Sequence, residues 1–467
     1  MNLDGKKVHF VGAGGIGMSA LALLAREAGA LVSGCDLVTG KGVELLRRHG
    51  IPVEIGHSPE HVAGADLVVY SKAVPLNHPE LAAVAADGAR LLSREHLLSL
   101  LMRPRRGVGV TGAHGKTTTT WLLGRILIEA GFDPTVLVGG IVDELSGNFR
   151  LGSAAPGSAS DGVFVTEVDE SNGIVADFHP LAAVVTNVDD EHLDLFADRM
   201  AMADAVSRFL HSMKQGGIAV LSADDPVLVE LAARLRSDRP DLAVLTVGFS
   251  ASADARINEA RDGAFSVALP QAGAVELKLR IPGRHNVANG ALAAAAASWL
   301  GAPPAAISAA LAAAPPVHRR QELVARAAGV VVYDDYAHHP TEILATHNAL
   351  SSVVKGRFIA VFQPHRYTRT RALWTRFIEA LSNFDYVVFM EIYAASETPL
   401  AGVSSAALAR DALKKRLNVQ YISRAHLVVE HLASIVKPGD VVITLGAGDV
   451  GEVAYALAER LERPDQD

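Results

Sequence analysis

Val108-Gly109-Val110-Thr111-Gly112-Ala113-His114-Gly115-Lys116-Thr117-Thr118 is the stretch whose reading decides the fold. A short apolar run enters a turn with two glycines, and a lysine, a hydroxyl and a helical pattern (Thr120 to Ala130, read as amphipathic) follow. Strand, glycine turn and helix in that order make a phosphate cradle. Bare backbone N–H groups at a helix start face the anion, and the helix dipole favours negative charge there. In such a cradle Lys116 reaches the β- and γ-phosphates and Thr117 offers its hydroxyl to Mg²⁺. The turn is a shortened form of the usual pattern, because Val110 stands where GxxxxGK[ST] has its first glycine. An ordinary βα turn that happens to carry Lys-Thr is the plain alternative.

Outward from this stretch the chain repeats the same rhythm. Val8-His9-Phe10-Val11 is a strand, Gly12-Ala13-Gly14-Gly15-Ile16-Gly17 a second glycine turn opening a helix, and Leu31 to Asp36 a strand ending on an acid. This is the dinucleotide fingerprint, GxGxxG with an acid about 20 residues on. It provides for a pyrophosphate without naming the nucleotide, and Asp36 is either a ribose contact or a strand-end turn residue. Leu67 to Ser71 is a later strand whose exit loop carries Ala73. Beyond the central cradle, Val163-Phe164-Val165-Thr166 delivers Glu167-Val168-Asp169-Glu170-Ser171, and Ala182 to Thr186 delivers Asn187 to Asp194. Parallel strands place these acidic loops on the side of the phosphate turn, and Mg²⁺ takes one or two carboxylates beside phosphates. Glu167 is the first choice of ligand. His192 is a metal ligand, a phosphate contact or a loop hydrogen-bonder; Asp189, Asp190, Glu191 and Asp194 read as solvated loop acids. Gly283-Arg284-His285-Asn286 opens an alanine-rich helix on which Asn286 and Asn289 share a face. An amide there reads adenine or merely caps the helix. After Pro315-Pro316, four more strands end in polar loops, containing His338, then Arg366 and Arg369, then Glu391, then the glycine turn Gly446 to Gly451, read as a second anion turn.

The chain's 467 residues allow about three domains of ~150 each. The fold class expected is α/β in three domains: a Rossmann-like domain over 1–104, a central P-loop-type domain over 105–316 and a C-terminal Rossmann-like domain over 317–467. The net charge of -8 and the lack of a dense basic block argue against a nucleic-acid partner. One cysteine, Cys35, suits a reducing cytoplasm. The first residues lack a signal-peptide core, and the alanine-rich run from Val287 to Val317, broken by Pro303-Pro304, reads as buried helices rather than a membrane span.

Together these motifs resemble the Mur ligases, which join amino acids to a UDP-sugar precursor of the bacterial cell wall. The resemblance rests on His9 to Ser19, Ser71-x-Ala73-Val74-Pro75, Gly112-x-His114-Gly115-Lys116-Thr117-Thr118-Thr119, Glu167-x-Asp169-Glu170-Ser171, Gly283 to Asn286, Asp334 to Glu342 and Gln363 to Thr370, in family order along nearly the whole chain. It implies that the first domain binds the UDP part of the substrate, through Gly14, Gly15, Ile16, Gly17, Asp36, Ser71 and Ala73. It implies ATP on the second domain, at Gly112, Ala113, His114, Gly115, Lys116, Thr117 and Thr118, with Asn286, Asn289 and Arg320 approaching the nucleotide. Thr117 and Glu167 then hold one Mg²⁺ and His192 helps hold a second, while His338, Arg366 and Arg369 lie beside the amino acid and the acyl phosphate. The motif set is nearest the member that adds the first amino acid. This implies ligation of L-alanine to the lactyl carboxylate of UDP-N-acetylmuramate in the cytoplasm, by a monomer or weak dimer with no membrane partner. A ligase of the same family that recycles ready-made murein peptide is the alternative. Later-step relatives carry a carbamylated lysine shortly after the position of His192; Leu193 to Met213 contains no lysine, so that modification is not expected. A nicotinamide oxidoreductase and an ATP-driven switch are the rival classes; each leaves part of the motif set without a task.

Overall fold

The computed structural model describes residues 2–462 apart from 72, 76, 88, 146, 154–161, 170–173, 190–198 and 262, with the backbone alone at 85–87. Three sheets follow one another along the chain. In the first, five parallel strands run in the order Val53–Ile55, Leu31–Asp36, Lys7–Val11, Leu67–Tyr70, Arg90–Ser93. Strand order reverses beside Lys7–Val11, and the glycine turn leaves from that strand's carboxyl end. Open α/β sheets bind ligands at such switch points.

The middle sheet has ten strands. At its centre Arg106–Thr111 lies between Ala182–Val185 on one side and Val163–Glu167 on the other, all parallel. These strands read as continuous apolar runs because helices cover both faces; Ala182–Val185 is wholly buried. Lys116–Glu129 and the alanine-rich helix Arg284–Leu300 pack on one face, against each other. Alanine on nearly every side of Arg284–Leu300 lets that helix sink into the core, where it is buried almost all round. The run after it forms Pro304–Ala313, so the Val287 to Val317 segment is two helices as expected, the second buried only along the face of Ile307, Ala310 and Leu311. No helix among the described residues is long and apolar enough to cross a membrane.

The third sheet has the order Glu322–Ala327, Val330–Asp335, Val441–Leu445, Phe358–Phe362, Tyr386–Phe389, Val419–Tyr421, with only the first pair antiparallel. Its four central strands therefore end on one side and present their exit loops together.

Candidate active site

The site is assembled by three neighbouring strand ends in the middle sheet. Arg106–Thr111 ends in the phosphate turn, Val163–Glu167 ends on Glu167, and Ala182–Val185 runs into Thr186 and Asn187. The turn is shaped by glycine where nothing else fits. Gly112 has φ +128°, and a Cβ on it would lie 2.3 Å from Thr186 Oγ1; Gly115 has φ +83°, and a Cβ there would lie 2.6 Å from Asn289 Oδ1. Gly115 caps the helix, which starts at Lys116, four residues before the expected start. The turn supplies its own first helical residues, so apolar periodicity could not locate them. Their burial is nearly uniform, so the helix is not amphipathic.

Each side chain around the turn has a defined partner. Lys116 Nζ donates to the carbonyls of Gly112 and Ala113, folding back over the turn. Thr117 Oγ1 donates to Glu167 Oε2 at 3.1 Å, and Gly139 N donates to Glu167 Oε1. Burial raises the Glu167 pKa, partly offset by the Gly139 N–H, Lys116 and Arg320. A hydroxyl and a carboxylate side by side at a phosphate turn form an oxygen-only donor pair, which fits Mg²⁺. Ala113 packs against the core beneath the turn. His192 lies outside the described residues.

Asn187 and Thr186 were not singled out from sequence, yet they brace the turn. Asn187 Oδ1 accepts from His114 N at 2.8 Å, its Nδ2 donates to His114 O at 2.9 Å, and Thr186 Oγ1 donates to the same carbonyl at 2.6 Å. The His114 ring bridges two domains, lying 3.1 Å from both Asp189 Oδ2 and Glu342 Oε1. Thr341 Oγ1 donates to Asp189 Oδ2 at 2.7 Å. Asp189 is thus no solvated loop acid, as its sequence context suggested. It is a junction residue whose partners His114 and Thr341 lie 75 and 152 positions away. Burial pushes the Glu342 pKa up, but the imidazoles of His338 and His114 outweigh that and hold it well below the usual range.

A cavity of about 380 Å³ opens between the second and third domains beside this junction. It brings together His114, Gly115 and Thr118 of the turn, Asn286 and Asn289 of the alanine-rich helix, and Arg320 of the third domain, all expected at one site. Asn286 Nδ2 donates to Pro282 O at 2.7 Å, so part of its donor capacity serves the helix entry. Burial lowers the His285 pKa to about 4, which keeps that ring neutral beside the cavity at pH 7. Asp335, buried in the same wall, has its pKa raised to about 6, burial again being the main cause.

In the third domain the exit loops converge. The His365 ring stacks on Tyr393 at 5.7 Å and meets the edge of His338 at the same distance. Arg369 Nη1 lies 3.1 Å from His365 Nδ1, and Arg366 caps the helix Tyr367–Ala372 from a backbone at φ +68°. His338, Arg366 and Arg369 therefore occupy one loop cluster. In the Gly446 to Gly451 turn, Gly446 O and Gly448 O accept from Arg319 at 2.8 and 2.9 Å, and that arginine also holds Asp334.

In the first domain the glycine turn is fixed by Asp36, whose Oδ2 accepts from Gly14 N at 2.8 Å. Its carboxylate thus shapes the turn, which is the strand-end role. Gly15 caps the helix Ile16–Glu27, and a Cβ on Gly17 would lie 2.6 Å from Arg94 Nη1. Arg94, missed in the sequence, sets a cation over the turn. Ser71 Oγ accepts from Ala73 N at 3.3 Å in the exit loop facing Gly12.

Two glycine turns on separate sheets, with a lysine, a hydroxyl and a buried carboxylate at the second, define an ATP-dependent ligase of three α/β domains. The chain matches "Mur ligase family, catalytic domain" over residues 7–106, "Mur ligase middle domain" over 110–297 and "Mur ligase, glutamate ligase domain" over 319–448. It is 42% identical to the UDP-N-acetylmuramate–L-alanine ligase of Kineococcus radiotolerans, over 97% of each chain. It is 38% identical to the enzyme of the same name from Desulforamulus reducens, over 99% of this chain and all of that one. The crystal structure of UDP-N-acetylmuramate–alanine ligase from Thermotoga maritima superposes with a TM-score of 0.77 at 27% identity, covering 98% of this chain and all of that one. The chain belongs to the Mur ligase family.

Proposed function

We propose that this chain ligates L-alanine to the lactyl carboxylate of UDP-N-acetylmuramate, with ATP converted to ADP and phosphate, in peptidoglycan precursor synthesis. The observation that carries the reading is the side-by-side ending of three strands in the Lys116 turn, Glu167 and Asn187, with His114, Gly115 and Thr118 of that turn and Asn187 lining a cavity walled by Asn286, Asn289 and Arg320. Full-length similarity to two alanine-adding ligases supports the choice of substrates.

The chemistry runs in two displacements. A lactyl carboxylate oxygen attacks the γ-phosphorus of ATP and ADP leaves, giving an acyl phosphate. The alanine amine then attacks the acyl carbon, the C–O bond to phosphate breaks, and the amine gives up a proton as the amide forms. Lys116 neutralises charge on the transferred group, while the turn's N–H groups hold the phosphates in line. Thr117 and Glu167 would hold Mg²⁺, which supplies charge neutralisation at the phosphates; His192 is proposed at a second ion. Asn286, Asn289 and Arg320 position the nucleotide, and His338, Arg366 and Arg369 receive the amino acid and the acyl phosphate. The first domain's turn, with Gly14, Gly15, Ile16, Gly17, Ser71 and Ala73, takes the UDP diphosphate, Asp36 holding the turn in shape. The domain division is placed near residues 104 and 316.

The test is phosphate release from ATP in the presence of UDP-N-acetylmuramate, with each amino acid in turn and with the murein tripeptide. Release stimulated by L-alanine above all others is expected. Stimulation by the tripeptide alone would assign the recycling reaction, and tight NADH binding without UDP-sugar binding would sink the ligase.

A further inference from the structure

The first domain holds a cluster that the ligase chemistry does not use. Glu80, fully buried, lies at its centre. Around its carboxylate stand Cys35 Sγ, 3.3 Å from both oxygens, His57 Nδ1 at 2.9 Å, His61 Nδ1 at 2.8 Å and His78 Nδ1 at 3.9 Å. Cys35 Sγ also lies 3.4 Å from His57 Nδ1. The four residues besides Glu80 come from a strand end and from the loops that follow the third and fourth strands of the sheet.

We propose that Cys35, Glu80 and two of the three histidines His57, His61 and His78 form a site for a zinc-class divalent transition metal. Thiolate, imidazole and carboxylate are its preferred donors. With metal–ligand bonds of the usual length, donors of a tetrahedral site stand roughly 3.3–3.8 Å apart. The imidazole nitrogens and the thiol stand 2.8 to 3.9 Å from the Glu80 carboxylate, and Cys35 Sγ stands 3.4 Å from His57 Nδ1. Cys35, His61 and Glu80, and likewise His57, His78 and Glu80, each hold three donor atoms within 4.8 Å of one another, so side-chain movement around the shared Glu80 closes the set.

A hydrogen-bonded network around Glu80 accounts for part of this arrangement but not for all of it. His78 Nδ1 is buried and has no hydrogen-bond partner among the described residues, although it faces the same carboxylate. A network built only to satisfy one carboxylate has no use for an imidazole that makes no bond to it; a metal site takes it as one of its two imidazoles. The three imidazoles keep 14 to 21% of their side-chain surface exposed, which leaves an entry path. The site also backs onto the substrate turn, because the carbonyl of Cys35 accepts from Gly12 N and Ala13 N at 3.0 and 2.9 Å. Occupancy therefore stiffens the strand end from which that turn hangs. Burial and the Glu80 carboxylate raise the thiol pKa far above its usual value, so binding must expel the Cys35 proton to solvent.

The chain's having a single cysteine makes the test specific. The reduced full-length protein is titrated with Co²⁺ and followed in the near ultraviolet. A thiolate-to-cobalt band saturating at one ion per chain, bleached by Zn²⁺, is expected, since no residue other than Cys35 can give it. The His57→Ala/His61→Ala double variant should weaken that affinity by at least about tenfold, with far-UV circular dichroism reporting that the variant is folded. Absence of the band in the folded wild-type protein would overturn the proposal, and so would an affinity unchanged in the double variant. If the double variant does not fold, Cys35→Ser replaces it: saturable Zn²⁺ binding equal to wild type, in competition with a chromophoric chelator, would then refute the site. Neither readout depends on ligase activity.

Discussion

Lys116 and Gly115 show how single residues carry different burdens in the same turn. Lys116 contributes charge, and its side chain only folds over the carbonyls of Gly112 and Ala113. Lys116→Ala should lower turnover by about a hundredfold or more, while calorimetry finds UDP-sugar binding unchanged because that site belongs to another sheet. Equal loss of both would contradict the division of labour. Gly115 contributes shape. Gly115→Ala forces a Cβ into Asn289 at a positive φ, at a cost of about 1–3 kcal/mol. A melting curve should show that loss, and an ATP analogue should no longer raise the transition. Asp335 carries a pH signature. Its pKa of about 6 lies above the unfolded value of 3.8, so the native state holds this proton where the unfolded chain has released it. Stability from this group is fully present below about pH 4 and is lost as pH rises through 6. Between pH 5 and 7 the unfolding free energy of the wild type should fall relative to that of Asp335→Asn; parallel curves would show that burial does not perturb this carboxyl.

At the scale of elements, the site depends on the order of three strands. The turn, Glu167 and Asn187 meet only because Arg106–Thr111 is flanked by Val163–Glu167 and Ala182–Val185. Asn187 ties two of these ends together with paired hydrogen bonds to the backbone of His114. Removing the amide leaves the part-buried His114 N–H without its partner, while Thr186 still serves the carbonyl, which costs about 1–3 kcal/mol. Asn187→Ala should therefore raise the KM for ATP and lower the melting temperature together. A rise in KM for UDP-sugar alone would place Asn187 elsewhere in the mechanism. The strands themselves were legible in the sequence as apolar runs, and so were the turns between them. Their lateral order was not, since hydrogen bonding between strands leaves no trace in local composition. For the same reason Asn187 passed as one polar residue in an acidic loop.

Across the whole molecule, the second and third domains meet at His114, Asp189, Thr341 and Glu342. These contacts close one side of the cavity between them. The double variant Asp189→Asn/Glu342→Gln should loosen the junction. Its radius of gyration by small-angle scattering should exceed that of wild type, and an ATP analogue with UDP-sugar should narrow the gap. Identical radii with and without ligands would mean that the junction does not govern the spacing of the domains. The first domain meets the second where Lys214 Nζ donates to Arg103 O at 2.7 Å and His96 lies 3.6 Å from Asp177, and the proposed metal site behind its glycine turn involves none of the junction residues.

The sequence by itself determined the three α/β units, the two glycine turns at strand ends, the lysine and hydroxyl of the central one, and the family. These are local features, written in neighbouring residues whose backbone geometry demands particular side chains. Tertiary structure alone decided which acids and imidazoles do anything. Asp189 became a junction, Asp36 a brace for Gly14, and Gly446 to Gly451 a socket for Arg319. Glu80 became the centre of a five-donor cluster. In each case the partner lies tens to hundreds of residues away, and the role of a charged group is set by what packing brings within a few ångströms of it.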